Sequence, residues 1–566
     1  MTLIGALNIG QSALAVQQAA LQVTGNNISN AGNADYTRQT AITTPGSDQQ
    51  ISPGIFVGSG IDLTSIQRQI DESLQNRIRS STSDTQSANT AQEWLSRVES
   101  TFNALGTDNL SSQMSSFSTS WSALANNPQD SGLRQTVLQA GDGLAQTFTD
   151  TRASLDGTQS DLQARLAAQA KAADGLAQQV ATLNGSIVVA EGGSNGQANN
   201  LRDQRDAILG QLSQLIDIKT VNQDNGSVNV YVGSEPLVVG TTSQGVAVQQ
   251  TVVNGQPVSS VVFKANKGPI PVTSGEIGAL ATAQGQITSA TTQLDTLAHN
   301  LIFELNKLHS SGQGLEGFST VTASNAVADP TAALTAPAAG LAFTPNNGSF
   351  VVSVRQKSTG LMTSTLVPVH LTGAAGDTTL NSLAASLSAI NGVTATITGG
   401  KLQISAASSA VDINFSQDSS GTLAALGINT FFTGKDSSDM AVNQTIQNDT
   451  TLIAAAKNGD QTDNQTAIAI AALQTQPLSS LNGTSLTDNY QSIVNGIAGQ
   501  VATATTSAAA AKAINDTLTA QRSSLSGVSI DEEAINLVRQ QNAFQGAAKL
   551  ITTVNTMMQT VINMLP

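Results

Sequence analysis

Residues 526–566 read SGVSIDEEAINLVRQQNAFQGAAKLITTVNTMMQTVINMLP, and the spacing of apolar residues in this stretch decides the fold. One stripe repeats every seventh residue and consists of Ile530, Leu537, Phe544, Ile551, Met558 and Leu565. A second stripe consists of Leu550, Val554, Met557 and Val561. These are the spacings of coiled-coil helices. Ser529 and Glu532 match a capping box at the helix start. The stretch therefore predicts one long helix with two apolar faces.

The first thirty residues predict a second helix of the same kind. Its stripes consist of Leu7, Leu14, Leu21 and Ile28 on one side, and of Ile9, Val16 and Val23 on another. A single stripe is usually the inward face of a bundle helix. Two stripes at each chain end favour packing against other copies of the chain, as in ring or helical assemblies. A central helix buried within one chain is the alternative.

Between these ends the apolar pattern alternates between helix and strand. It keeps helical spacing over most of 66–183 and changes to a period of two after 219, as at Val228, Val230 and Val232. The sequence predicts an α+β fold that is elongated and multidomain, a long helical bundle with paired terminal coiled-coil helices and inserted β-rich domains. The predicted domains are a terminal helical inner-tube domain (1–65 and 515–566), a helical bundle domain (66–218, 275–320 and 437–514), a small β-hairpin subdomain (219–274) and an inserted outward β-rich domain (321–436).

The composition contains few of the residues that enzymes commonly use for catalysis. The 566 residues include no cysteine and three histidines, and only 11% are charged. We therefore expect no catalytic site, no metal and no cofactor. Lys and Arg number 24 against 39 Asp and Glu, and a net charge of −15 disfavours nucleic acid as a partner. The first cationic side chain is Arg38, so we expect no cleaved secretory signal. No stretch approaches the roughly 20 apolar residues that are needed to span a bilayer, so we expect no membrane insertion.

Two glycine-rich segments match catalytic patterns loosely. The segment 312–317 has the Gly-x-Gly-x-x-Gly spacing of a dinucleotide loop, but a predicted helix rather than a strand precedes it. A helix-ending loop is therefore favoured. Ser194 lies in a Gly-x-Ser-x-Gly pattern, which supports a serine hydrolase only on a strained strand-to-helix turn. Helical spacing ahead of Ser194 favours a plain turn.

Two sets of polar residues fall on predicted helices. His299 and His309 lie off the i, i+4 spacing of a shared metal face, and we expect both to be solvated or at the edge of a seam. The cluster Arg-Asp-Gln-Arg-Asp at 202–206 predicts a solvated helix face. Local ion pairs on such a face contribute roughly a few tenths of a kcal/mol each.

Several stretches are similar to the bacterial flagellar axial proteins of the rod, hook and hook-associated group. Residues 21–31 (LQVTGNNISNA) resemble the signature of that group, and the continuation ADYTRQ at 34–39 resembles its hook-associated members. Further matches are LRDQRD at 201–206, LAALGINTFFTG at 423–434 and residues 526–550. The resemblance covers both ends and is weak across 320–423.

The resemblance implies a structural role without catalysis. It implies export through the flagellar type III apparatus, with help from an export chaperone, to the extracellular flagellum at the junction between hook and filament. The partners it implies are copies of the chain in a ring or helical layer, the hook protein on one side and the next hook-associated protein on the other. It also implies terminal helices that are disordered in the monomer and become ordered on assembly.

Three alternatives are left open by the residues. The first is a hook or rod subunit of the same group. The second is a secreted serine hydrolase that uses Ser194. The third is an adhesin whose outward β domain binds a host surface, although no carbohydrate- or protein-binding motif supports it.

Overall fold

The structure is a computed structural model that describes residues 3–102, 106, 109–192, 196–253 and 256–564. It is 55% helical with 19% strand, which confirms the predicted α+β class. The chain forms two compact units. The first unit comprises residues 1–94, 161–284 and 502–566, and the second comprises residues 95–160 and 285–501.

Long helices and short strands alternate along the chain. The helices are α1 Leu3–Ser29, α2 Glu72–Phe102, α3 Leu110–Asn126, α4 Ser131–Glu191, α5 Asn199–Leu215, α6 Gly275–Ser310, α7 Leu380–Ser388, α8 Thr422–Leu426, α9 Gln444–Asn448, α10 Gln465–Ala472, α11 Leu486–Ser526 and α12 Ile530–Asn563. The strands are β1 Gln39–Pro45, β2 Gln49–Ser52, β3 Ile55–Val57, β4 Ile61–Arg68, β5 Ile218–Asn222, β6 Val228–Val232, β7 Glu235–Val239, β8 Thr242–Ser243, β9 Val246–Val253, β10 Gln256–Phe263, β11 Thr320–Thr322, β12 Gly348–Gln356, β13 Met362–Val369, β14 Val393–Thr398, β15 Lys401–Ala406, β16 Val411–Ser416, β17 Phe432–Thr433 and β18 Ala441–Val442.

In the first unit, the segment after α1 forms strands rather than helix. β1 and β4 pair antiparallel, from Gln39 opposite Arg68 to Pro45 opposite Ile61, and β2 and β3 form a smaller hairpin between them. Sequence reasoning grouped this segment with the terminal helices in one domain and did not predict its strands. Alternating Thr and Ile residues favour strands because their branched side chains lose rotamer freedom in a helix.

The predicted period-two segment forms β5–β8, a four-stranded antiparallel sheet. Val228, Val230 and Val232 are buried on one face of β6, as their alternation predicts. Asn225 and Gly226 turn the chain between β5 and β6, and Gly226 has a φ of 84°. The turn predicted at 254–255 lies outside the described residues.

Asp203 and Arg205 of the charge cluster at 202–206 are buried, so the prediction of a solvated face is wrong. Arg68 on β4 donates hydrogen bonds to Asp203 at 2.8 Å and to Asp206 at 2.7 Å. Arg205 donates to the backbone oxygen of Gly226 at 2.7 Å. Burial raises the pKa of the Asp203 carboxyl, and the hydrogen bond from Arg68 opposes this shift. Sequence spacing could not find this network because its cation comes from a distant strand.

The second unit has an aromatic core in which His309 is fully buried. This cluster contains the rings of Trp121, Phe117, Phe431 and His309. The centres of the rings in contact lie 5.5 to 6.2 Å apart. Nδ1 of His309 donates to the backbone oxygen of Asn429 at 2.8 Å. The prediction that this histidine is solvated or at a seam edge is therefore wrong.

The buried imidazole of His309 is held in its neutral form. Its Nε2 accepts a hydrogen bond from the backbone N–H of Ala454 at 3.0 Å, so the ring proton is on Nδ1. Burial lowers the pKa of His309 to about 4. His299, by contrast, is half-buried and stacks on Phe343 with ring centres 4.5 Å apart. The segment 312–317 follows α6, as predicted for a helix-ending loop.

We expect Arg68→Ala to lower the free energy of unfolding by about 3 kcal/mol, because it leaves the Asp203 carboxylate buried without its cation. Lys264→Ala is the matched control in the same unit, since the Lys264 side chain is 60% exposed where it pairs with Asp174. Lys264→Ala should lower the free energy of unfolding by at most about 1 kcal/mol. Denaturant unfolding measures both, and equal losses would contradict the buried-pair interpretation.

We expect the second unit to lose stability as the pH falls. The unfolded histidine takes up a proton near its ordinary pKa, whereas folded His309 does so only near pH 4. The free energy of unfolding should therefore fall by up to about 3 kcal/mol between about pH 6.5 and about pH 4. Trp121 fluorescence in a Trp94→Phe background reports this unit.

His309→Gln should flatten that pH dependence, because the group that gains the proton on unfolding is gone. His370→Gln is the control, since His370 is exposed. Burial raises the pKa of Asp418, which opposes the effect equally in every variant. An unchanged pH dependence in His309→Gln would show that other groups cause it.

Candidate assembly site

The two ends of the chain meet as an antiparallel helix pair in the first unit. Gly10 on α1 lies against Ile551 on α12 so closely that an added Cβ would stand 2.7 Å from the Ile551 Cγ1. Thr24 Oγ1 donates to Gln540 Oε1 at 2.9 Å. Later positions on α1 contact earlier positions on α12, so the helices run in opposite directions. The predicted pairing of the terminal helices is confirmed.

A polar cluster closes this pair where α1 ends and α12 begins; it consists of Asn27, Tyr36, Arg38, Gln39 and Glu533. Asn27 Nδ2 donates to Glu533 Oε2 at 3.1 Å and to the Gln39 backbone oxygen at 2.9 Å. Arg38 Nε donates to Glu533 Oε1 at 2.8 Å. Tyr36 Oη donates to Asn27 Oδ1 at 2.8 Å. Each carboxylate oxygen of the buried Glu533 therefore has a donor.

The electrostatics of the polar cluster keep Tyr36 protonated. Burial and the nearby carboxylates of Asp203 and Glu533 raise the pKa of Tyr36 to about 12. At neutral pH the Tyr36 hydroxyl is therefore protonated and can donate to Asn27. Ser529 caps α12 by accepting from the Glu532 backbone N–H. The Glu532 carboxylate pairs with Arg38 at 2.9 Å, so only half of the predicted capping box forms.

Sequence reasoning missed this polar cluster although a signal was present. Asn27 takes the next position of the stripe that runs through Val16 and Val23. Glu533 lies three heptads, 21 residues, before Val554 of the second C-terminal stripe. A polar residue within a coiled-coil stripe commonly selects a particular partner.

The predicted stripe residues differ in burial. Val16, Val23 and Val554 are buried. Those that are half-buried are Leu7, Leu14, Leu21, Ile28, Ile9, Leu537, Phe544, Ile551 and Met558. Those that remain exposed are Ile530, Leu550, Met557 and Val561. Leu565 lies outside the described residues.

The hairpin β1–β4 covers a side of α1 that sequence reasoning assigned to other copies. Ile42 and Ile61 of the hairpin line one cleft with Val16 and Val23 of α1. Gly60, with a φ of 114°, approaches so closely that an added Cβ would stand 3.4 Å from the Ile9 Cα. The stripe of Ile9, Val16 and Val23 therefore has a partner within its own chain.

One apolar face of α12 has no such cover. Leu550, Met557, Val561 and Met564 are all exposed, Met557 by 52%, and we name them the α12 strip. They lie beside the stripe that contacts α1, at the spacings of three, four and seven that align residues along a helix. No charged residue interrupts 550–564. This strip is the best candidate for contact with another protein.

Other candidate sites have little support in the described chain. Ser194 lies outside the described residues. No group of three or more His, Cys, Asp or Glu side chains among the described residues is placed to hold a metal ion. Over the same residues, no helix combines the length and apolar character needed to cross a membrane.

Comparison with known families gives two matches. The model of the flagellar hook-associated protein FlgK helical domain matches residues 95–322. The model of the flagellar basal body rod FlgEFG protein C-terminal region matches residues 519–564, which include all of α12. The long middle helices and the C-terminal helix are therefore both similar to flagellar proteins.

Relatives from three bacteria carry the same name. The chain is 27% identical to flagellar hook-associated protein 1 of Escherichia coli over 98% of this chain and 99% of that protein. It is 26% identical to the protein of the same name from Salmonella typhimurium over the same shares. The Bacillus subtilis protein of that name is 31% identical over 41% of this chain and 46% of its own length.

A solved structure shares the fold. The flagellar hook junction protein FlgK from Burkholderia pseudomallei aligns with a TM-score of 0.53 and 16% identity, over 80% of this chain and 100% of that one. Relatives along nearly the whole chain, domain models over 95–322 and 519–564 and this shared fold together make the chain similar to the flagellar hook-associated protein 1 family.

Proposed function

We propose that this chain is a structural subunit that joins the bacterial flagellar hook to the filament. Its relatives over the whole chain are named for association with the hook, and the solved protein of the same fold is named for the hook junction. In this proposal the chain leaves the cell through the flagellar type III apparatus with help from an export chaperone. It acts outside the cell without catalysis or cofactor.

The α12 strip carries the proposal. Pairing with α1 buries Val554 but leaves Leu550, Met557 and Val561 exposed. Fully burying a side chain of this size stabilises a contact by about 2 kcal/mol. Because every copy in a ring or helical layer repeats the same contact, these contributions recur around the whole assembly.

Ordering of the helix ends would accompany this contact. Isolated helices are marginal in water, and most helical stability in proteins comes from packing of the apolar face. The polar cluster holds the pair at Asn27 and Glu533, whereas the opposite end around Ile4 and Val561 is exposed. We propose that neighbouring copies order that end when they cover it, with the inserted β-rich region facing outward.

The partners in this proposal are further copies of the chain, the hook protein on one side and the next hook-associated protein on the other. The C-terminal match to rod proteins keeps a hook or rod subunit as the second candidate. Cells that lack the chain distinguish the two. Hooks without filaments support the junction role, whereas loss of the hooks themselves would support the second candidate.

A chain that ends at Asn536 lacks nearly all of α12 and should fail to join the junction. The second unit contains no residue beyond 501, so its Trp121 fluorescence and unfolding transition should be unchanged. Electron microscopy of cells that produce only this truncated chain should show hooks without filaments. Filament growth equal to that with the full chain would contradict assembly through the terminal helices.

Met557→Asp should reduce the number of filaments per cell at least tenfold. A carboxylate on the α12 strip would have to be desolvated in any apolar contact, and this desolvation costs several kcal/mol. A loss of filaments of about tenfold is therefore the smallest effect we expect. Thr556→Asp is the matched control, because Thr556 is exposed on another side of α12. Equal filament numbers in the two variants would show that the strip is not a contact surface.

A further inference from the structure

The small hairpin β2–β3 exposes apolar side chains that no described residue covers. Ile51, Ile55 and Phe56 expose 50%, 54% and 61% of their surface. Among the strands that the structure describes, β2 and β3 pair only with each other. A two-stranded hairpin of this kind is marginally stable by itself in water and gains stability when its apolar side is covered. We name Ile51, Ile55 and Phe56 the hairpin tip.

The hairpin tip projects from the same part of the first unit as the free end of the helix pair. Gln39 at the start of β1 is bonded to Asn27, near the end of α1. Further along the hairpin, Gly60 lies against Ile9. The strands therefore run along α1 toward its beginning, where Ile4 is exposed. This is the end of the helix pair to which we assign assembly.

We propose that the hairpin tip binds the α12 strip of a second copy of this chain. A ring or helical layer needs two different complementary patches on each copy, because its contacts run head to tail. The hairpin tip and the α12 strip are two such patches, on separate elements. This inference rests on the proposed assembly through the terminal helices and names the surface that the strip meets.

Charge favours the same partner. The chain carries a net charge of −15, so two copies repel each other over most approaches. No charged residue lies in 49–61 or in 550–564. A contact between these two segments would desolvate no charged group. It would also place the Met557 sulfur against the Phe56 ring, which is a favourable pairing. The two uncharged segments thus match each other.

The natural absence of cysteine makes the contact directly testable. Phe56→Cys and Met557→Cys are made in separate full-length chains, and both are produced in cells that lack the natural chain. Oxidation of isolated hook–filament junctions should join the two variants in a disulfide-linked dimer. Either variant alone should give at least tenfold less dimer, because only the mixed pair places two thiols at one contact.

The control experiment pairs Phe56→Cys with Thr556→Cys instead of Met557→Cys. This change moves the thiol by one residue, to another side of α12. Dimer from the Thr556 pair equal to that from the Met557 pair would overturn the proposal. In parallel, Phe56→Asp should reduce filaments per cell at least tenfold. Gln49→Asp should leave them unchanged, because Gln49 pairs with Val57 and lies on the other face of the hairpin from Phe56. Circular dichroism of both purified chains checks that they remain folded.

Failure of this inference and failure of the proposed function give different results. Junctions that carry filaments but yield no mixed dimer would overturn the hairpin contact and leave the junction role intact. Filaments that grow normally in cells lacking the chain altogether would overturn the junction role itself. Filaments unaffected by Phe56→Asp would likewise remove the hairpin tip from the assembly surface.

Discussion

The hydrogen bond between Asn27 and Glu533 joins the two ends of the chain, and much of the first unit depends on it. A carboxylate at a buried position of a helix seam destabilises the fold unless donors surround it. Asn27 and Arg38 supply those donors from residues about 500 positions earlier in the chain. Closing so long a loop costs only slightly more entropy than closing a shorter one, because the cost grows with the logarithm of length.

Several of the chain's few charged side chains form contacts in the interior. Arg68 is buried against two aspartates in the first unit. Arg134 in the second unit is buried among backbone oxygens, among them that of Ile453 at 2.7 Å. Burial lowers the pKa of Arg134 to about 10, which still leaves it charged at neutral pH. With only 11% charged residues in all, and several of these buried, wide parts of the surface are neutral.

Neutral surfaces suit a protein that meets copies of itself. The α12 strip and the hairpin tip carry no charge, and they lie on elements held to one another through α1. The side of α1 that carries Val16 and Val23 is already covered by the hairpin β1–β4. The apolar surface left for other copies is therefore smaller than the stripes alone indicate, and it lies on α12 and the tip rather than on α1.

The sequence by itself determined the α+β class, the long terminal helices, the period-two segment before α6 and the flagellar family resemblance. These follow from local spacing, which depends on residues within a few turns of each other. Only the tertiary structure decided that His309 is buried, that Asp203 faces Arg68 and that Glu533 faces Asn27. In each case the deciding partner comes from a distant segment, and helical or strand periodicity carries no information about which distant segment that is.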